Sequence, residues 1–188
     1  MSAGKFADAV AGGRVFSIST VAAGLAIPVS TATAPSVLLW NPMDSGVRLN
    51  LLRYVFANTS DAISAAGGVG FQTFNVGSSG ITGLTNAALG AIAASKIENA
   101  LIGSGALPKA KASAAGTNAI VAVVAFQTIG VSVYEPTTTA VLGTSVTYYD
   151  FDGLLQLSPG WACFPCESVN GSGALFQQTL FWEEVPLA

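Results

Sequence analysis

Cys163-Phe-Pro-Cys166 is the one spacing in this chain that invites redox or metal chemistry. A reactive dithiol of this type needs a helix N-terminus behind it to stabilise the thiolate. The residues that follow, Glu167-Ser-Val-Asn170-Gly-Ser-Gly173, read as a loop. A zinc ion would need two further sulfur or imidazole ligands, and the chain has 2 cysteines and 0 histidines. The two thiols are therefore expected as reduced, partly buried side chains on a strand and turn. Asp150-Phe-Asp152-Gly153 sets two carboxylates at i and i+2, as the start of a calcium loop does, but Leu154-Leu-Gln-Leu157 follows where acidic ligands belong. Asp-Gly is instead the chemistry of a β-turn, favoured in hairpins. Glu183 and Glu184 resemble an acid/base pair only on paper. Neighbours on a strand point to opposite faces and cannot flank one substrate bond.

The absence of histidine also excludes any Ser-His-Asp or Cys-His triad. Gly67-Gly68-Val-Gly70 and Gly77-Ser-Ser-Gly80 lack the lysine of a phosphate loop and read as strand entries and turns. The aromatic residues Phe71, Phe74, Trp161, Phe164, Phe176, Phe181 and Trp182 fit a strand core better than a ligand platform. No enzyme activity and no cofactor follow from these residues.

Composition points the same way. Charged residues make up 9% of the 188, against about 25% in an ordinary globular domain. A surface so poor in charge is built from Ala, Gly, Ser, Thr and Asn, and is expected to be covered by other subunits. A formal charge of −3 and scattered cations exclude the basic footprint of a nucleic-acid binder. The longest apolar run, Ala119 to Val133, is short of a membrane span and contains Gln127, Thr128 and Gly130. Val15 to Val29 mimics a signal sequence after Arg14, but Ser17, Ser19, Thr20 and Gly24 interrupt it, so assembly in a cytoplasm is expected.

The elements that position these residues are mostly strands. Residues 1–13 read as an N-terminal arm and residues 14–188 as a single β-sandwich domain. Arg14 to Thr20, Ala34 to Trp40, Val47 to Ala57, Gly67 to Val76, Ala119 to Tyr134, Ala140 to Tyr149, Gly153 to Leu157 and Leu175 to Val185 are strand-like. Asn41-Pro-Met-Asp-Ser-Gly46 reads as the turn of a hairpin between the second and third of these. Alanine-rich Asn86 to Leu101, with Leu89, Ala93, Ile97 and Leu101 at four-residue spacing, predicts the one short helix. Gly103 to Gly116 reads as a small-residue linker. Eight or so short strands with frequent turns indicate a mainly β, antiparallel sandwich.

Three stretches carry a resemblance: Trp40-Asn-Pro-Met-Asp-Ser-Gly46, Asp152-Gly-Leu-Leu-Gln-Leu-Ser-Pro-Gly160 and Leu180-Phe-Trp-Glu-Glu-Val-Pro186. The chain resembles small jelly-roll-like structural proteins of tailed bacteriophage virions, most nearly capsid decoration (cement) proteins. The resemblance implies a homo-oligomer, commonly a trimer, bound on the virion to the major capsid protein or another virion protein, without catalysis. Residues 1–13 and the strand at Phe181 and Trp182 are expected to contribute to the intersubunit contact. The alternative is a tail-fibre or spike head that binds host glycans, which requires an exposed aromatic residue beside Asp or Asn in a shallow groove.

Overall fold

The computed structural model describes residues 6–29, 34–60, 68–76, 97–114, 125–127, 146–168 and 174–187. In chain order these form α1 (Ala7–Ala11), β1 (Val15–Ser19), β2 (Leu38–Trp40), β3 (Val47–Ser60), β4 (Val69–Asn75), β5 (Glu98–Asn99), β6 (Lys111–Ser113), β7 (Ala125–Gln127), β8 (Val146–Asp150), β9 (Gln156–Leu157), β10 (Trp161–Glu167) and β11 (Leu175–Pro186). One antiparallel sheet has the order β5-β1-β11-β3-β8, with β9 also on β3, and the other has the order β6-β2-β10-β4-β7. Setting aside the edge strands β5 and β6, the orders β1-β11-β3-β8 and β2-β10-β4-β7 are those of a jelly roll, two interlocked Greek keys. The expected mainly β sandwich is the observed fold.

This topology corrects two local expectations. Asn41 to Gly46 does not close a hairpin: β2 lies in one sheet and β3 in the other, so the turn carries the chain across the sandwich. The turn at Asp152-Gly153 forms, with Leu154 N donating to Phe151 O at 2.8 Å and φ of 52° and 80° at the two central residues. Both φ values are positive, as a type I′ turn requires. Yet β8 and β9 both run antiparallel to β3, so this turn interrupts one strand instead of joining two. The helix expected over Asn86 to Leu101 lies outside the described residues up to position 96. At its far end Glu98 and Asn99 are strand, paired with Ser17 and Phe16. Among the described residues the helix is α1. The supposed linker contains β6, whose Lys111 pairs with Trp40.

Alternation decides which side chains enter the core. Leu49 and Leu51 face inward from β3, and so do Tyr54 and Phe56, which have the opposite parity. A register shift between Phe181 and Trp182 resolves the conflict: Leu51 pairs with Trp182, Arg53 with Phe181, and Leu52 is the extra residue of a bulge. Leu52 turns to the outer face, where it packs with Ala9, Val15, Val10 and Phe181. The α1 turn, part of the segment expected as an arm, thus covers the bulge. The inner core carries a polar cluster: Gln178 Oε1 accepts from Tyr54 OH at 2.9 Å and Ser36 Oγ at 3.1 Å, and its Nε2 donates to Leu25 O. Every bond keeps a buried amide satisfied. The second sheet buries apolar side chains on both faces, because Leu38, Phe74, Ala162, Phe164 and Cys166 form a separate buried cluster opposite the inner core.

Candidate functional site

Asn41 is the bolt of one corner of the sandwich. Completely buried, its Nδ2 donates to Val47 O at 2.8 Å and to Leu157 O at 3.0 Å, tying the cross-sheet turn to the start of β3 and to β9. Its backbone N donates to Trp161 O, and its O accepts from Gly160 N, both within 2.9 Å. Between β9 and β10 the chain turns through Ser158-Pro159-Gly160-Trp161, closed by Trp161 N donating to Ser158 O. Pro159 presets φ at the second position, and Gly160 supplies φ of 85° at the third, the requirement of a type II turn. That turn was legible in the sequence; its attachment to Asn41 was not.

These contacts present Trp161 at the mouth between the two sheets. A shallow groove of about 230 Å³ is lined there by Thr73, Leu155, Gln156, Leu157, Ser158 and Trp161. Trp161 is 36% exposed, whereas Phe71, Phe74, Phe164, Phe176 and Trp182 are all buried, so six of the seven singled-out aromatic residues, Phe181 included, pack against the chain itself. Asn75, exposed, stands directly opposite Trp161 in the β4–β10 register.

The other residues with chemical promise hold the structure together. Cys163 and Cys166 are free and buried on β10, with Cys163 in the inner core and Cys166 in the outer cluster. Two side chains on opposite faces of a strand cannot join as a disulfide or share a ligand. Burial pushes both thiols up; for Cys166, burial and then the neighbouring Glu167 charge raise it to about 12, opposed by a hydrogen bond from the Gln72 backbone. Such thiols stay protonated and inert. Glu183 and Glu184 point to opposite faces, as their adjacency dictates. Glu183 meets Arg14 on the outer face at 3.2 Å. Glu184 is buried and accepts Lys109 N on both oxygens at 2.9 Å, Ala110 N at 2.8 Å and Trp182 Nε1 at 3.5 Å. Its carboxylate anchors the long 100–110 loop to the end of β11. Nothing in the spacing of Glu184 and Lys109 announced this contact.

Phe181 and Trp182, expected at an intersubunit contact, separate. Trp182 is fully buried and stacks on Phe16 with ring centres 6.1 Å apart, so it offers no surface to a neighbour. Phe181 is half-buried beside α1. Val21, Tyr148 and Leu154 are exposed after β1 and along the β8–β9 segment, and a further five exposed apolar side chains come from loops at the end of the sandwich where Asn41 and Glu184 sit. Met43 is on the cross-sheet turn, Leu101, Ile102 and Leu107 are on the anchored loop, and Leu187 follows β11. Ile102 and Leu107 are 95% and 84% exposed. Among the described residues, no group of three or more His, Cys, Asp and Glu side chains is arranged to hold a metal, and no helix is long and apolar enough to cross a membrane. No family model, curated protein or solved structure significantly matches this chain.

Proposed function

We propose that the chain is a non-enzymatic structural protein of a virus particle, a capsid decoration protein that strengthens the head of a tailed bacteriophage through contacts with itself and with the shell. The observation that carries this reading is that Met43, Leu101, Ile102, Leu107 and Leu187 are exposed on loops at one end of a molecule with 9% charged residues. Interface cores are depleted in charge and rich in such side chains. Ile102 and Leu107 project from a loop that Glu184 holds by two backbone amides, so the apolar tips are presented on a fixed base. A presented, ordered loop loses less entropy on association than a free one. The jelly-roll arrangement is one that viral capsid domains use, which adds an analogy at the level of fold alone. In this proposal the contact face is the loop end, with Phe181 at most peripheral and Trp182 a core residue, and the assembled form is a homotrimer.

The experiment mixes the purified chain with expanded capsids lacking it, and follows attachment by sedimentation and electron microscopy. The wild-type chain attaches, and the double variant Ile102→Asp/Leu107→Asp, whose changes lie on exposed tips and leave the core intact, does not. A chain that stays monomeric and ignores capsids refutes the proposal. So does a double variant that attaches as well as wild type.

A further inference from the structure

We propose that the groove at Trp161 binds a single neutral sugar ring. Its volume of about 230 Å³ lies below the 300–1,000 Å³ of sites for drug-sized ligands, which limits the occupant to one ring or the terminal ring of a chain. The lining residues Thr73, Leu155, Gln156, Leu157, Ser158 and Trp161 include no ionisable side chain. A phosphorylated or carboxylated ligand would leave its charge without a partner in this groove, so the matching ligand is neutral.

The chemistry of the lining narrows the class further. Trp161, 36% exposed, supplies the most accessible of the three indoles, since Trp182 is fully buried and Trp40 keeps its indole nitrogen buried. An indole face carries negative charge density and attracts the weakly positive C–H groups on the apolar face of a pyranose. The rim of the same ring needs hydroxyl and amide partners. Thr73 and Ser158 provide hydroxyls that make no hydrogen bond among the described residues, and Asn75 stands in register beside Trp161 with its exposed amide. Gln156 Nε2 is held by Gly153 O at 3.1 Å, which leaves its carbonyl oxygen as an acceptor. A flat aromatic ligand such as a nucleobase would satisfy the indole but has fewer hydroxyls to spend on this rim.

The platform is rigid before a ligand arrives. The type II turn at Pro159-Gly160 and the backbone bonds between Asn41, Gly160 and Trp161 place the indole without help from a partner. Preorganisation of this kind reduces the ordering cost of binding. The groove sits at the corner that Asn41 bolts, near the turn that carries Met43, but its lining includes neither Ile102 nor Leu107, so binding of a free sugar is read on the unassembled chain.

The chain is titrated with methyl glycosides of neutral hexoses, and with adenosine in parallel, while the indole N–H resonances are followed by NMR. The Trp161 resonance shifts saturably with a dissociation constant on the order of 1 mM, as befits one small ring in an open groove. Trp161→Ala weakens binding at least about tenfold with an unchanged circular-dichroism spectrum, while Trp161→Phe retains part of it. Thr73→Val combined with Ser158→Ala weakens binding severalfold. The proposal is overturned by the absence of any glycoside-dependent shift, by binding that survives Trp161→Ala, or by a preference for adenosine.

Discussion

Replacing Glu184 by glutamine tests whether a buried carboxylate anchors the loop that carries Ile102 and Leu107. Glu184 accepts backbone amides from Lys109 and Ala110 at 2.8–2.9 Å, with the Trp182 indole at 3.5 Å. Bonds to a charged acceptor contribute about 1.5–3 kcal/mol each, and neutral ones about 0.5–1.5 kcal/mol. Glutamine keeps the shape and one oxygen, but it removes the charge and turns an NH₂ group toward donors. The difference over two amide bonds, reduced by the easier desolvation of a neutral side chain, is about 2 kcal/mol of lost stability. With a urea m-value of about 2 kcal/mol/M, the unfolding midpoint falls by about 1 M. Glu184→Ala, which leaves both amides and the indole N–H without that acceptor, costs about 2–5 kcal/mol. Amide hydrogen exchange at Lys109 and Ala110 accelerates in both variants, more than at core amides such as that of Leu180. A glutamine variant within about 0.5 kcal/mol of wild type, with unchanged exchange at Lys109 and Ala110, refutes the anchor.

Asn41→Leu leaves Val47 O and Leu157 O without their shared donor and lowers stability by about 2–5 kcal/mol, measured by urea unfolding. Gly24→Ala is expected to cost at least about 2 kcal/mol in the same assay. At φ of 77° a Cβ there would lie 2.7 Å from the Phe176 carbonyl carbon, and that backbone cannot move aside without disturbing the core. Alkaline pH destabilises the fold through its thiols. Burial raises both from 9.0, so the native state keeps protons that the unfolded state releases. The contribution is complete below pH 9 and fades as pH rises above it, by at most about 1.4 kcal/mol per unit per thiol. Urea midpoints measured at about pH 8 and about pH 10 show the decline, and Cys163→Ala with Cys166→Ala flattens it. A thiol reagent labels the native chain negligibly and the urea-unfolded chain at both positions.

Features encoded within a few residues were open to reading from the chain alone. Alternation over Arg14 to Thr20 and the Phe- and Trp-rich run from Leu175 to Val185 identified β1 and β11, and Pro159-Gly160 and Asp152-Gly153 specified their turns. The opposed faces of Glu183 and Glu184 followed from adjacency. The short edge strands β5 and β6 were missed because two or three residues such as Glu98–Asn99 carry no periodicity. Lys111–Ser113 becomes a strand by pairing with β2, not by its own composition. The adjacent leucines at 51 and 52 break the alternation, and only the register with Phe181 and Trp182 places a bulge there.

By itself the order of amino acids determined the strand-rich class, the scarcity of charge and the lack of a histidine-based reaction, since each is a property of composition or of near neighbours. Tertiary pairing decided which sheet receives each strand, that Trp182 turns inward while Trp161 stays exposed, and that Glu184 grips a distant loop. The physical reason is separation along the chain. Asn41 reaches the Leu157 carbonyl across 116 positions, and no local pattern can announce a partner that only the packing of two sheets brings within hydrogen-bonding distance.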